Sequence, residues 1–427
     1  MNEAFLLQSH LESAQYIPLV DEQTAGRLKE ASEARRTLTS AAPADGFRSL
    51  DLLRSVSAQV VVIGHCFSLL LRTAAPIEGG VLTHVAWYAL GIFSGHGFDA
   101  VAVFFVLSGL LVGAPLPGAV ARRQFRFGDY VLRRLARMYA VLIPGLLFSA
   151  LLVGGAFAWG HGQRVIDANI GWYAPDWPVA TSMAATTGVC NALFLQTVFC
   201  PQFMNNSALW SLSNEMMYYL AFPALLLLFH PSTLPRRLAS GGLFVLIVAC
   251  WVYADHAEVE RGQLFAVGFI AWLGGAYWTV LQNVFPRPLV ARLCVAGLIV
   301  AVAVGLLTID SRNLRVLSIA AITFAVLAFR DQIERGVRRI PALSASVRVA
   351  SDYSYSLYVI HIPLLICALG FSEFLLAKVT RSATTFGLLL GVLAAINITA
   401  YLFHLAFERH YRTLYAVAKA RLNPRVS

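Results

Sequence analysis

Ten apolar runs alternate with polar segments between residues 47 and 407, and they restrict the chain to one class of fold. Most of the runs approach the roughly 20 residues that an α-helix needs to cross the core of a bilayer. The composition agrees, with 58% hydrophobic and only 13% charged residues. The runs lie at about 47–71, 96–113, 139–158, 209–229, 241–254, 264–281, 290–308, 314–329, 353–371 and 384–407. We therefore predict an all-α polytopic membrane protein with about ten transmembrane helices.

Lysine and arginine are distributed unevenly between the two sides of these predicted spans. If the N-terminus is cytoplasmic, 25 of the 33 basic residues fall on the cytoplasmic side, 7 fall on the outer side and Arg54 lies within the first span. Cytoplasmic loops of membrane proteins carry such an excess, so both termini are predicted to be cytoplasmic. The same loops explain the net charge of +10, and nucleic acid is not expected as a partner.

The pattern divides the chain into three segments. Residues 1–46 form a polar cytoplasmic tail with one short helix expected at 24–37, residues 47–407 form the membrane domain, and residues 408–427 form a basic cytoplasmic tail. The first segment lacks the apolar centre of a signal peptide. No internal repeat is evident, so a transporter built from repeated halves gains no support.

Two outer segments are expected between the spans. The first is an interfacial helix at 81–93, and the second is a long polar and aromatic stretch at 159–206. Cys190 and Cys200 lie in the second segment, which makes them candidates for a disulfide. The six cysteines show no metal-ligand spacing such as C-x-x-C, and no metal site is expected.

The first span carries ionisable residues that a helix surrounded by lipid would not need. Arg54 and His65 are 11 residues apart, so they differ by about 20° around the helix axis and by about 16 Å along it. Asp51 precedes Arg54 by one turn, within reach of a charge-assisted pair. Ionisable groups inside a span usually line a wet cavity or a bundle interior. The alternative is a hydrogen-bonded core histidine, with Arg54 extending to the cytoplasmic surface.

An arginine cluster precedes the third span. Its six members are arginines without a single lysine, namely Arg122, Arg123, Arg126, Arg133, Arg134 and Arg137. Planar guanidinium groups suit the recognition of phosphate, and Arg133 and Arg137 at i and i+4 would point the same way. Anchoring to anionic lipid is the alternative.

Two further spans carry polar residues. Glu215 begins the fourth span together with Trp210 and Ser211, where it could act as a general base, a proton acceptor or a counter-ion to Arg54. Trp210 could equally belong to an interfacial aromatic belt. In the ninth span, Tyr358 and His361 share one face with a preceding serine, and a proline follows His361.

Five motifs in register resemble the acyltransferase-3 family of bacterial membrane acyltransferases, over about residues 47–407. They are FRSLDLLR followed by His65 at an Arg-x10-His spacing, AVAVFFVLSGLLVG (100–113), YVLRRLARMY (130–139), WSLSNEMMYYLAFP (210–223) and SLYVIHIPL (356–364). The resemblance implies a ten-helix membrane fold that moves an acyl group, commonly acetyl from acetyl-CoA, to a hydroxyl of an envelope or exported glycan. One departure is Ala140, which stands where a proline often follows the third motif.

The resemblance also implies roles for individual residues. Arg54 and His65 match the essential pair of the first helix, and Glu215 matches the acid of the Trp-Ser-Leu-x-x-Glu motif. The phosphates of acyl-CoA are expected to contact the third-helix arginines, Arg133, Arg134 and Arg137. Arg54 would place the donor or polarise the thioester, His65 would take the proton of the acceptor hydroxyl, and Glu215 would orient or charge-balance His65. A covalent acyl group on His65 is the variant route.

Supporting or substrate contacts are expected from Arg48, Asp51, Trp210, Ser211, Tyr358 and His361. Acyl-CoA would be a co-substrate rather than a tightly bound cofactor, the acceptor would be a carbohydrate or glycolipid, and the location would be the bacterial inner membrane. The alternative functions are a transporter or flippase of a lipid-linked sugar, and a non-catalytic membrane partner in an envelope assembly. The acyl chain, the acceptor and the oligomeric state stay open.

Overall fold

A computed structural model describes most of the membrane domain. The described residues are 48–70, 76–94, 96–97, 100–160, 179–230, 233–256, 264–284, 289, 293, 297, 312–371 and 380–422. The predicted tail 1–46 lies outside them, and so does almost all of the predicted span 290–308.

The described part of the chain is helical, and it contains no named strand. The α-helices are α1 (Arg48–Leu70), α2 (Val81–Ser94), α3 (Val101–Ser108), α4 (Leu116–Ala121), α5 (Phe127–Ala158), α6 (Val179–Met183), α7 (Ala185–Ala192), α8 (Trp210–Phe229), α9 (Leu234–His256), α10 (Leu264–Val284), α11 (Arg312–Ala328), α12 (Arg330–Arg338), α13 (Pro341–Asp352), α14 (Ser354–Phe371), α15 (Ala383–Ala406) and α16 (Tyr411–Leu422). A π-helical turn, Gly109–Gly113, continues α3, and 3₁₀ turns occur at Phe203–Asn205, Ser207–Leu209 and Glu408–His410.

Seven helices within the described residues are long and apolar enough to cross a membrane, and there are nine if two bent pairs, α11 with α12 and α13 with α14, each count as one span. This confirms the predicted all-α polytopic membrane fold. The cytoplasmic position of the termini stays a prediction from the distribution of basic residues.

Helix α5 begins earlier than the sequence pattern indicated. The apolar run starts near residue 139, but the helix starts at Phe127 and has 32 residues, which corresponds to about 48 Å. Arginine is a good helix former, so the charged segment extends the helix. Residue 140, where members of the acyltransferase-3 family often have a proline, is an alanine in this chain, and helix α5 continues through it without a break. As a result, the arginines of the third motif lie on a rigid helix.

The described part of the predicted outer stretch, residues 179–206, is packed into the protein. Asn191 and Gln196 are fully buried, and their side chains donate hydrogen bonds to the backbone carbonyls of Pro201 and Leu209 respectively. Asn206 is also buried, and it donates to the carbonyl of Val359 in α14 at 2.8 Å. Tyr139 of α5 donates to a carbonyl at the end of α7. The segment is therefore a packed part of the fold rather than a solvated loop, because its side chains satisfy backbone groups that water would otherwise solvate. The side of the membrane on which it lies stays a prediction.

Cys190 and Cys200 form a disulfide that closes this packed segment. The sequence left this pairing open. Disulfides persist on the oxidising side of a membrane, which agrees with the side predicted for the segment. Helix α8 begins next to it and leads away from it.

Helices α3 and α10 cross with their backbones in contact. A Cβ atom on Gly109 would overlap the carbonyl of Trp272, and a Cβ atom on Gly275 would overlap the carbonyl of Val106. Small residues allow such close approach between helices in membranes. The crossing brings the indole of Trp272 to Ser108, the last residue of α3, at 3.1 Å.

Gly275→Ala should destabilise the protein by at least the roughly 1–3 kcal/mol that is typical of overpacking, because the added methyl group meets backbone rather than a movable side chain. Thermal unfolding of the purified protein in detergent measures the effect. Gly242→Ala in α9 is the matched control, since a Cβ atom there meets nothing within 4 Å. Equal melting temperatures for the two variants would contradict the packing of α3 against α10.

Candidate active site

A cavity of about 250 Å³ opens between α1, α3, α5, α8 and α14. Half of the twelve residues predicted for the site line it. They are Arg54, Arg134, Arg137, Ser211, Glu215 and Tyr358. The cavity thus collects residues from four of the five motifs, and the fifth motif, in α3, contributes Phe104, Phe105 and Ser108 to the wall.

Glu215 is held by two hydroxyl groups. Ser108 donates to its Oε1 atom at 2.7 Å, and Tyr219 donates to the same atom at 2.5 Å. Trp272 donates to Ser108 Oγ, which fixes the direction of the serine hydroxyl. Sequence reasoning did not select Ser108 as a site residue, although it lies in one of the quoted motifs.

Arg134 and Arg54 supply positive charge to the cavity. The guanidinium of Arg134 lies 5.9 Å from the rings of both Tyr130 and Tyr219, within cation–π range. Its buried Nε atom has no hydrogen-bond partner in the described part of the chain. Arg54 likewise has no ion pair among the described residues. The positive charge of Arg137 and the negative charges of Asp51, Glu408 and Glu215 act on it from a distance. Both guanidinium groups are therefore available to an anion or a polar ligand.

Arg137 is positioned by Glu408. Glu408 is fully buried, and its Oε1 atom lies 2.8 Å from Arg137 Nη2. Its Oε2 atom accepts from the hydroxyl and backbone N–H of Ser356. The ring of Tyr411 lies 4.8 Å from the guanidinium. The sequence analysis placed Glu408 in the cytoplasmic tail, and that assignment is wrong because Glu408 neutralises a cation inside the protein.

Arg133 lies outside the cavity. Its side chain is 54% exposed, forms an ion pair with Asp129 and lies 5.7 Å from the ring of Tyr415 in α16. Arg133 and Arg134 are adjacent and differ by about 100° around the helix axis. Arg134 and Arg137 line the cavity, whereas Arg133 lies beside the C-terminal helix. The expectation that all three arginines act together is therefore corrected.

Arg48 and Asp51 form a pair with each other. Arg48 Nη1 lies 3.6 Å from Asp51 Oδ2, and Asp51 Oδ1 accepts from Ser351 at 3.0 Å. The predicted pair between Asp51 and Arg54 is not formed. Asp51 instead links α1 to α13, and the side chain of Arg54 lines the cavity.

His65 contacts a second histidine. Its Nδ1 atom lies 3.0 Å from Nε2 of His361, and Nδ1 of His361 lies 3.0 Å from the carbonyl of Leu357. A carbonyl only accepts, so His361 must carry its proton on Nδ1. His361 is fully buried, which favours the neutral ring. His361 Nε2 therefore accepts from His65 Nδ1, and in neutral His65 the lone pair stands on Nε2.

Tyr358 separates this histidine pair from the cavity. Its hydroxyl is hydrogen-bonded to Ser211 at 2.7 Å, and its ring lies 6.1 Å from that of His361. His65 does not line the cavity. Glu215 does not contact His65 either, so the predicted support of His65 by Glu215 is replaced by support from His361.

Trp210 is not an interfacial belt residue. It is only 4% exposed, and its ring packs 6.1 Å from that of Phe105. It therefore supports the wall of the cavity from behind.

The comparison with known families agrees with the motifs. Residues 47–408 match the acyltransferase domain of the acyltransferase-3 family, which is most of the chain. The protein belongs to this family, and it is a membrane acyltransferase. No match was found among curated proteins or among solved structures.

Glu408→Gln should destabilise the protein by about 3–5 kcal/mol, because it leaves the partly buried Arg137 without its charge partner. Adding Arg137→Gln should recover part of that loss, since the pair is then neutral. Melting temperatures of the single and double variants in detergent form the required cycle.

The control for this cycle is Asp331→Asn. Asp331 is 77% exposed and lies 3.5 Å from Arg330, so its loss should cost less than about 1 kcal/mol. Strictly additive effects in the Glu408 and Arg137 cycle would show that the two charges are not coupled.

Proposed function

We propose that the protein is an O-acyltransferase of the bacterial inner membrane that moves an acyl group, by default acetyl, from cytoplasmic acyl-CoA to a hydroxyl of an envelope or exported carbohydrate. The observation that carries the proposal is the cavity with three arginines, Arg54, Arg134 and Arg137, beside an ionisable histidine pair. Few ligands other than a phosphorylated donor require so much positive charge within a membrane.

The orientation of the site supports a donor from the cytoplasm. The N-terminal end of α5 carries the arginines and follows a basic loop that is predicted to be cytoplasmic. The disulfide between Cys190 and Cys200 lies beside the N-terminal end of α8, which is predicted to face the other side of the membrane. Coenzyme A is made in the cytoplasm, and disulfides form on the other side. The donor would therefore enter at Arg134 and the acceptor would approach from the side of His65.

The dimensions suit the donor. Tyr219 and Ser211, which mark two levels of the cavity, are eight residues apart on α8, or about 12 Å. The pantetheine arm of coenzyme A has about twelve bonds between pyrophosphate and sulfur, as many as about four extended residues, and so spans about 14 Å. With its pyrophosphate at Arg134 and Arg137, the donor would bring its thioester to the level of Tyr358.

The histidine pair supplies the proton transfer. His65 Nε2 takes the proton of the acceptor hydroxyl as its oxygen attacks the thioester carbonyl, and His361 holds the ring in the required tautomer. The tetrahedral adduct breaks its carbon–sulfur bond, and the proton passes from His65 to the sulfur. The products are the ester and the free thiol of coenzyme A. In the variant route the acyl group resides on His65 before transfer.

Arg54 acts on the donor rather than on the reacting carbonyl. It lies about 16 Å from His65 along the axis of α1, which is too far for both side chains to contact one carbonyl group. Its charge would stabilise the polar arm or the phosphates of the donor within the membrane.

His65→Ala should lower turnover of acetyl-CoA by about 10²–10⁴-fold, the usual contribution of a general base, while donor binding changes little. The protein purified in detergent is incubated with radiolabelled acetyl-CoA, and thiol release and donor affinity are measured. The matched control is His410→Ala, since His410 is exposed. Full activity of His65→Ala at unchanged expression would contradict the mechanism.

The role of His361 is tested by substitutions that differ in hydrogen bonding. His361→Asn retains an acceptor for His65 Nδ1 and should keep more activity than His361→Leu, with a pH profile closer to that of the wild type. Equal losses in both variants would reduce His361 to a packing role. If the wild type neither bound nor consumed any acyl-CoA in a panel of donors, a transporter of a lipid-linked sugar would replace the O-acyltransferase as the proposed function.

A further inference from the structure

A second recess lies at the end of α8 away from the disulfide. It has a volume of about 890 Å³, within the range of ligand sites. It is formed by the C-terminal end of α8, the first turns of α9 and the segment that joins α4 to α5. Its lining includes Arg123, Phe125, Phe127, Arg236 and Arg237. We call this recess the basic groove.

The basic groove carries charge of one sign. Its lining includes Arg123, Arg236 and Arg237 and no acidic side chain. All three arginines are exposed. An anion that enters the groove would therefore meet three guanidinium groups, each with several donors in a plane.

The positions of Arg236 and Arg237 are unfavourable for the helix that carries them. Both lie in the first turn of α9, which begins at Leu234, where the positive end of the helix dipole disfavours cations. Arg237 Nε donates to the carbonyl of His230 at 3.4 Å, which directs it toward the end of α8. Two cations at this helix end make its field favourable for a bound anion.

Arg123 occupies a strained backbone position. Its φ of 57° is left-handed, and its N–H bonds to the carbonyl of Val120 at the end of α4. Glycine or asparagine is usual at such a helix end, and a residue with a long side chain is unfavourable there. The side chain of Arg123 is thus held at the groove at some cost to the backbone.

Aromatic rings lie beside these charges. The rings of Phe125 and Phe127 are 6.4 Å apart and nearly perpendicular, and both residues line the groove. Both rings are half-buried. Arginine beside an accessible aromatic ring is a pattern that binds nucleotides, because the base stacks on the ring while the guanidinium groups hold the phosphate.

The basic groove lies next to the active-site cavity, although the two share no lining residue. The ring of Phe125 lies 5.5 Å from that of Tyr130, and the ring of Tyr130 lies 5.9 Å from the guanidinium of Arg134. On α8, Ala224 of the groove follows Tyr219 of the cavity by five residues, or about 8 Å. A ligand with its pyrophosphate at Arg134 could extend its nucleoside into the groove.

We infer that the basic groove binds the 3′-phosphorylated adenosine end of acyl-CoA, with Arg123, Arg236 and Arg237 on the 3′-phosphate. The inference rests on the proposed function. It assigns the phosphates of the donor to two places, with the pyrophosphate at the cavity and the 3′-phosphate at the groove.

An anionic lipid headgroup has the same phosphate chemistry, and the lipid reading would compete at this position. If the groove binds a lipid headgroup, the affinity for acetyl-CoA should not depend on its adenosine 3′-phosphate. Removal of that one phosphate therefore distinguishes a groove that binds acyl-CoA from a groove that binds lipid.

The experiment compares acetyl-CoA with acetyl-3′-dephospho-CoA on the purified full-length protein in detergent. The wild type should bind acetyl-CoA at least about 10-fold more tightly, since charge-assisted hydrogen bonds are lost with the phosphate. In the triple variant Arg123→Gln/Arg236→Gln/Arg237→Gln, the dissociation constants of acetyl-CoA and acetyl-3′-dephospho-CoA should become equal, so that their ratio is about one. The control Arg339→Gln/Arg348→Gln removes two exposed arginines outside the groove and should keep the wild-type ratio.

Each outcome separates the inference from the proposed function. A wild type that binds acetyl-CoA without preferring the 3′-phosphate overturns the inference alone, and so does a triple variant that keeps the preference. A wild type that binds neither donor overturns both. A triple variant that keeps the preference for acetyl-CoA but loses a response to phosphatidylglycerol in nanodiscs assigns the groove to lipid.

Discussion

The ion pair between Arg137 and Glu408 is the interaction on which the cavity depends. A fully buried carboxylate requires a charge partner, and Arg137 supplies one to Glu408. Glu408, in the turn after α15, also binds Ser356 at the start of α14. The pair therefore ties three helices around the base of the cavity. With its charge balanced, Arg137 can face a ligand, whereas Arg54 and Arg134 reach the same cavity without an ion pair among the described residues.

Sequence reasoning found the helices that carry the site, since apolar runs and intramembrane charges are strong signals. Arg54, Arg134 and Glu215, which it selected as site residues, line one cavity. It failed where the answer depends on which helices pack together. Glu408 follows the last apolar run and resembles a tail residue, and only the fold shows that it is buried. The pairing of His65 with His361 depends likewise on contact between α1 and α14, which no spacing within one helix predicts.

The arrangement divides the site into two parts. Arginines and Glu215 line the cavity, and the histidine pair lies beyond Tyr358. Under the proposed function, a charged donor and a hydroxyl acceptor would come from opposite sides of the membrane, and the catalyst would need two approaches with a narrow contact between them. Tyr358, which is hydrogen-bonded to Ser211, lies between the two approaches. Its side chain would have to move for a thioester to reach His65.

The central claim is that the acyl donor enters from the cytoplasmic side. The most direct test uses sealed membrane vesicles of known orientation and measures the release of coenzyme A thiol from acetyl-CoA, which does not cross the membrane. We expect His65-dependent thiol release by inverted vesicles, whose cytoplasmic face is outward, and none by right-side-out vesicles until they are permeabilised. Release by intact right-side-out vesicles alone would contradict it.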